Sequence, residues 1–465
     1  MVKSAGEKLK QMCQCANVLI EEHIDMPIKN CIMKNIFRPS YKILIISYCL
    51  FAICSCSVNK QITKQANKIL LQDTAIRQGH IGISIYEPAT GKYWYNHDAD
   101  KYFIPASNTK LFSLYAGMKY LRDSLVGVRY FTDQDITYIT PAGDPTFLLK
   151  EFPIQPVFTF LKNQKKIVIS RPAEIKPYGN GWAWNDYMYE YMAPRSVFPI
   201  YGNIVSVKWF NENIIKISPP WFENKINSNQ KFTKGFEIVK SFDDNNFQFL
   251  EGEEKNQSVP FYPDMLTISK LLDDTLRLKE NSGLANLNAG IIPVFSQPSD
   301  SLFKPMMHRS DNFFAEQTLL MASNEHLGYM SDRDIIDTIL KSDFKDIPQK
   351  PKWVDGSGLS RYNLFTPQGF VFVLNKLKNE FGWDRMKNIL PTGGEGTLNS
   401  YFKTDAGFIY AKTGTLSNNC ALSGYLVTKN NKLIIFSILA NNYQTGATPV
   451  RRAVEKFLKK IRGKY

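Results

Sequence analysis

Strand-like segments stand at both ends of this chain, and that placement constrains its fold more than any other feature. Near the start, residues 81–86 alternate in polarity. The chain then turns at Pro88-Ala89-Thr90-Gly91 and returns over 92–96, a hairpin signature. Near the end, residues 407–413, 421–428 and 433–441 read as three strands, the last two joined by a turn at Asn430-Asn431. A final helix is expected over about 449–461. Helical patterns lie between these ends. Residues 58–77 read as a polar-faced helix. After Pro105, Leu111, Phe112, Leu114, Tyr115, Met118 and Leu121 recur at a spacing near 3.6. That second helix is apolar nearly all round in its first turns, as a helix central to a core must be. An α+β domain satisfies this order: one antiparallel sheet drawing strands from both ends, with helices on both its faces.

The middle of the chain, 129–288, is different. It is rich in Pro, Asn and aromatics, with short β-like runs at 166–170, 203–209 and 213–218. It reads as a separate, mostly-β unit inserted into the first. No internal repeat stands out.

The first 56 residues read as an address. Residues 43–54 form an uncharged, mostly apolar run, too short for a membrane-spanning helix, which needs about 20 residues. Lys34, Arg38 and Lys42 precede it, as in a secretory signal peptide. The run ends Ile53-Cys54-Ser55-Cys56, which resembles a bacterial lipoprotein processing site with Cys56 as the lipidated residue. Met33-Lys34 offers a start that gives a leader of ordinary length, so 1–32 are expected to lie ahead of the natural start. Six of the seven cysteines fall in these 56 residues and only Cys420 lies beyond them, which rules out a disulfide framework. Cys420 itself reads as a packed strand residue. The formal charge of +14 suits a polyanionic neighbour. Removing 1–55 deletes seven Lys/Arg and four Asp/Glu, so the basic excess survives. Residues 451–464 hold seven basic residues and one acidic, a face suited to an anionic envelope.

Three short motifs carry the chemistry. Ser107-Asn108-Thr109-Lys110 opens the central helix; a spacing of three puts Ser and Lys on one face, one turn apart. The helix amino terminus favours developing negative charge, and burial disfavours the ammonium form of a lysine, making it a base. The pattern alone is cheap: it also occurs from Ser57, Ser228, Ser301, Ser342 and Ser400. Ser310-Asp311-Asn312 alone would be a turn or a helix cap. Lys412-Thr413-Gly414-Thr415 lies on an expected strand, where glycine admits a second backbone at close range and a strand edge can pair with an extended peptide.

Together and in this order, the motifs resemble those of serine β-lactamases and penicillin-binding proteins. The chain resembles the penicillin-binding-protein-type D-alanyl-D-alanine carboxypeptidases and endopeptidases with a large insert. The 203 residues from Ser107 to Ser310 accommodate that insert and are too many for a β-lactamase. Gly143-Asp144-Pro145-Thr146, Gly181-Trp182-Ala183-Trp184-Asn185-Asp186 and Asp355-Gly356-Ser357-Gly358-Leu359-Ser360-Arg361 resemble further family segments. The resemblance covers about 78–465; the stretch near 220–285 finds no match in it. It implies a leader (1–56), a serine β-lactamase/transpeptidase-like catalytic domain in two parts (57–128 and 289–465) and the insert (129–288).

The resemblance also implies roles. Ser107 attacks the carbonyl between two D-alanines, and Lys110 takes its proton. Ser310 relays that proton to the leaving amine under the field of Lys412. Asn312 holds the substrate amide and orients Lys110. Lys412 and Thr413 bind the terminal carboxylate or peptide backbone, and the N–H groups of Ser107 and Thr415 form an oxyanion hole. The implied partners are peptidoglycan stem peptides, β-lactams as covalent inhibitors and a membrane reached through the lipid, with export to the periplasm. No cofactor or metal is implied, and the five histidines are dispersed. Carboxypeptidase and endopeptidase activities both remain open. The alternatives are a β-lactamase-like hydrolase, disfavoured by the wide gap and by the lack of a Glu-x-x-x-Asn motif soon after Asn312, and an inactive peptidoglycan-binding lipoprotein. Nucleic-acid binding conflicts with the export signal.

Overall fold

The computed structural model describes residues 58–170, 174–211, 214–223, 225–226, 232–278, 282–286 and 291–465. The apolar run 43–54, Cys56 and the expected leader lie outside them. The chain divides into a short unit ending at Lys64 and a second unit from Gln65 to Tyr465. The described residues of the first are helical. In the second, the opening helix ends in a π turn, Asn67–Leu71. The helix expected to reach residue 77 thus stops short: Asp73 accepts the N–H of Ala75 at 2.9 Å and bends the chain into turns.

Then come β1 (His80–Glu87), β2 (Lys92–His97), α1 (Lys110–Tyr120), β3 (Ser124–Asp133), β4 (Ile136–Pro141), α2 (Pro156–Lys162) and β5 (Lys166–Ser170). They are followed by β6 (Ile204–Asn211), β7 (Ile214–Ser218), β8 (Phe236–Lys240), β9 (Phe247–Glu251), β10 (Asn256–Pro260), α3 (Met265–Leu276), β11 (Gly283–Ala285) and β12 (Ile292–Pro298). The remainder carries α4 (Ser299–His308), α5 (Asn312–Leu327), α6 (Asp332–Lys341), α7 (Pro367–Phe381), α8 (Trp383–Ile389), β13 (Ile409–Leu416), β14 (Asn419–Val427), β15 (Leu433–Asn441) and α9 (Ala447–Lys464).

The sheet expected from both chain ends forms, in the order β13-β14-β15-β1-β2. Every pairing in it is antiparallel, and β1 meets β15 from His80↔Asn441 to Tyr86↔Ile435. Strand β15 is buried along almost its whole length, which explains its apolar run LIIFSILA, interrupted only by Ser437, whose hydroxyl pairs with that of Ser423. Its Ile435 and Leu439 join a core with Phe112 of α1, Phe314 of α5 and Phe370 of α7. On the opposite face, Ile438 and Ala440 line a small space with Val450 and Val454 of α9. Helices thus cover both faces, as an α+β domain of this class requires.

A second sheet, ordered β11-β5-β4-β3-β12, is mixed: β4–β5 and β5–β11 are parallel. It reaches from Ser124 to Pro298, past both 129 and 288, because the strands that lead into and out of the middle region pair with each other. A three-stranded sheet (β10-β6-β7) and the β8–β9 hairpin complete this region. Its core is distinct from the first, built around Val128, Ile139, Val207, Phe236 and Leu271. The region also contains helices. Asp264 caps α3 by accepting N–H groups of Leu266 and Thr267, and α3 buries Ile268, Leu271 and Leu272.

Candidate active site

Ser107 lies in a single 3-10 turn, Ala106–Thr109, that runs directly into α1. Thr109 Oγ1 donates to the Ala106 carbonyl at 2.9 Å and tightens the turn. Ala106 takes a left-handed φ of 48°, which costs about 1–2 kcal/mol in an L-residue. Packing holds it there: a Cβ on Gly358 (φ +84°) would lie 2.0 Å from the Ala106 carbonyl oxygen, so that neighbour has to be glycine.

Lys110, one turn on, is completely buried. Its Nζ lies 3.1 Å from Ser107 Oγ, 2.5 Å from Asn312 Oδ1 and 2.7 Å from the Ser357 carbonyl. The three partners come from three separate chain segments. As an ammonium, Lys110 fills them with its three donors. As a neutral amine it has two N–H groups, which the non-donating Asn312 Oδ1 and Ser357 oxygens take, leaving its lone pair for the Ser107 hydroxyl. Burial lowers the Lys110 pKa to about 8, against the opposing pull of Asp355, Asp311 and Glu316. The site therefore holds a lysine that gives up its proton near pH 8 and, once neutral, aims its electron pair at a serine.

The second motif ends a turn and starts a helix. Ser310 adopts φ 64°, and Asp311 caps α5 by accepting the Phe314 N–H at 2.9 Å. Asn312, the first residue of α5, donates from Nδ2 to the Tyr191 carbonyl at 2.8 Å, so its amide is fixed at both ends. The third motif lies on β13, the edge strand. Lys412, also completely buried, donates to Ser310 Oγ at 2.7 Å and to the Thr413 carbonyl at 2.8 Å. A Cβ on Gly414 would sit 2.6 Å from the Pro105 carbonyl oxygen and 3.1 Å from the Ser107 nitrogen, so the glycine lets β13 close against the serine turn. The Ala411 N–H points outward to the Pro391 carbonyl. Strand alternation turns the N–H groups of Thr413 and Thr415 outward along the same edge. Ser107, Lys110, Ser310, Asn312 and residues 412–415 thus share one site. Burial, with Lys110 and Arg451 nearby, holds the Lys412 pKa well below the ordinary lysine value.

Four participants escape sequence reasoning. Ser357 contributes only its carbonyl, which any residue could supply; its neighbours in Asp355-Gly356-Ser357-Gly358 are the better signal. Asp355 is buried and organises that loop. Its oxygens accept the N–H groups of Gly358 (2.9 Å) and Ser360 (2.7 Å), Asn363 Nδ2 (2.6 Å) and the indole of Trp182 (2.9 Å). Asp355 thereby joins two of the segments quoted above, one inside the middle region and one after it. Glu316 Oε1 accepts the Ser357 N–H at 2.7 Å, and burial beside Asp355 pushes the Glu316 carboxyl up. Arg451 of α9, far along the chain, donates to Thr415 Oγ1. On the middle region, Gln317 of α5 grips the carbonyls of Gly143 (2.7 Å) and Ser196 (2.9 Å). Cys420 is a buried residue of β14, across from Thr415.

A family model for the D-Ala-D-Ala carboxypeptidase 3 (S13) family matches residues 62–253 and 272–461. Among individual proteins, the chain is 32% identical over 174 residues to carboxypeptidase DacB of Mycolicibacterium smegmatis, covering 34% of this chain and 37% of the relative. It is 29% identical over 167 residues to the D-alanyl-D-alanine carboxypeptidase DacB of Haemophilus influenzae, covering 32% and 33%. The matched stretches thus span about a third of each relative. In fold, the structure resembles penicillin binding protein 4 (dacB) from Haemophilus influenzae, with a TM-score of 0.67 at 20% identity over 86% of this chain and 99% of that one. With both arms of the molecule inside the family match and the three motifs gathered at one site, the chain belongs to the D-Ala-D-Ala carboxypeptidase 3 (S13) family.

Proposed function

We propose that this protein is a serine-type D-Ala-D-Ala carboxypeptidase that trims peptidoglycan stem peptides through an acyl-enzyme on Ser107. The observation that carries this reading is the buried Lys110 Nζ, 3.1 Å from Ser107 Oγ and held by Asn312 and Ser357. Lys110 accepts the Ser107 proton as Oγ bonds to the carbonyl carbon between the two D-alanines. The oxyanion takes hydrogen bonds from the outward N–H of Thr415 and from the N–H of Ser107. Losing one such donor typically costs about 2.7–4 kcal/mol of barrier. The tetrahedral intermediate collapses, the C–N bond breaks, and the leaving nitrogen takes a proton through Ser310, whose Oγ is bonded to Lys412. Free D-alanine departs, and water then cleaves the ester and regenerates Ser107. The terminal carboxylate settles beside Lys412 and Thr413, where burial with Lys110 and Arg451 nearby leaves the Lys412 amine short of negative charge.

A β-lactam enters as a false substrate with the same Ser107 attack and resists the last step. The Haemophilus influenzae relative has been crystallised in complex with a novel beta-lactam. Ser107→Ala is expected to abolish both D-alanine release from defined muropeptides and covalent labelling by a fluorescent penicillin. Persistent labelling would refute the nucleophile assignment.

Residues 129–288 act as an insert between two parts of the catalytic domain, 57–128 and 289–465. The protein is exported and lipidated on Cys56. Incorporation of labelled palmitate, abolished by Cys56→Ser, is the check on the anchor; equal incorporation in that variant would remove it. Among the described residues, no helix is long and apolar enough to cross a membrane.

A further inference from the structure

Two clefts meet beside the second motif. One, of about 350 Å³, is bounded by Arg309, Asp311 and Glu151. The other, of about 740 Å³, lies over β6, β8 and β10 of the middle region. Glu190 and Ser206 border both, so the two form one continuous trough. Its larger arm is within the roughly 300–1,000 Å³ span of small-ligand sites.

At the junction stands the 3-10 turn Glu190–Met192. The Tyr191 carbonyl of this turn receives Asn312 Nδ2, so the trough begins one residue from the catalytic amide. Tyr189 and Tyr191 stack here with centroids 5.2 Å apart and planes within 8°. They remain 55% and 45% exposed. Two parallel aromatic rings left in water offer a flat apolar face that folding alone does not require. Around them the larger arm sets Glu190, Glu237, Glu254, Asn256 and Gln257 against Lys208, with apolar Val207 and Ile238 between, and the smaller arm adds Lys150 and Arg309 beside Glu151 and Asp311.

This combination selects its ligand by chemistry. A preponderance of carboxylates repels polyanions. Flat rings, rather than holes, suit no particular amino-acid side chain. Carboxylates and amides accept and donate hydrogen bonds to a rim of hydroxyl and acetamido groups. A sugar ring presents that rim together with a flat C–H face. We propose that the trough is a glycan-binding subsite, which takes the N-acetylated sugar backbone carrying the stem peptide while the peptide lies at Ser107. That the glycan is peptidoglycan rests on the carboxypeptidase reading above; that it is a glycan rests on the trough alone.

The test compares two substrates on the full chain: a free acyl-D-Ala-D-Ala peptide, and the same stem carried on an N-acetylglucosamine–N-acetylmuramic acid tetrasaccharide. Tyr189→Ala is expected to raise KM for the glycan-linked substrate about tenfold while leaving the free peptide within about twofold. Glu254→Gln, which changes no volume, should act in the same direction. NMR titration with the peptide-free tetrasaccharide should show saturable binding to the native protein and weakened binding to both variants. Equal effects on the two substrates, no effect on either, or no tetrasaccharide binding would each overturn the subsite. If the native protein releases D-alanine from neither substrate, the carboxypeptidase reading fails, and the titration alone decides the trough.

Discussion

Lys110 and Lys412 are both completely buried, yet their surroundings are opposite in charge. Around Lys110 stand Asp355, Asp311 and Glu316, which offset part of the desolvation and leave the pKa near 8. Around Lys412 the charged neighbours are Lys110 and Arg451, which add to the desolvation. The first niche brings the pKa of a base down to about 8, with its hydrogen bonds already assigned. The second withholds a counter-ion and is completed when a substrate carboxylate supplies one. Two lysines of one site thus acquire different tasks from their neighbours and not from their own chemistry.

Replacing Lys110 would break the comparison most severely. Lys110→Ala is expected to slow acylation by about 10²–10⁴-fold, the range of a lost general base. Stopped-flow labelling with a chromogenic β-lactam measures it, and near-normal acylation would move the base elsewhere. In the native protein, acylation should rise with pH as Lys110 loses its proton, and level off above about 8.

Lys412→Met tests the other niche. Loss of one charge-assisted contact predicts a drop of about ten- to a hundredfold in kcat/KM for peptides ending in a free carboxylate. The same peptides amidated at the carboxy terminus should be much less affected by the substitution. Equal losses on both would mean that Lys412 works only on Ser310.

The smallest effect on rate, and the sharpest on the comparison, comes from Asp355→Asn. Asp355 raises the Lys110 pKa, so its neutralisation should move the rising limb of the pH profile below about 8. The amide nitrogen cannot accept the N–H groups that one carboxylate oxygen now holds, so stability should also fall by about 3 kcal/mol in chemical denaturation. A limb that stays in place would show that Asp355 only shapes the loop.

The legible parts of the molecule are those in which local pattern and final environment agree. Strand β15 is legible to the residue because burial on both faces demands a run that is apolar at all but one of its first eight positions. Helix α1 was readable because its apolar surface runs nearly all round. The end of the first helix differs from its local pattern because one side chain, Asp73, redirects the backbone. The second sheet was only partly readable. Its parallel pairings and its closure by β3 and β12 join segments far apart in sequence, and no short-range pattern records which strands become neighbours.

The sequence by itself determined the element types, the sheet drawn from both ends and the three motifs, because residue spacing sets which side chains share a face. Tertiary structure alone decided that Ser357 would lend a carbonyl, that Asp355 would tie Trp182 to the loop behind Lys110, and that Arg451 would reach Thr415. It also set the two lysines apart. A pKa depends on which charges lie within a few ångströms after folding, and that distance is written in no stretch of the chain.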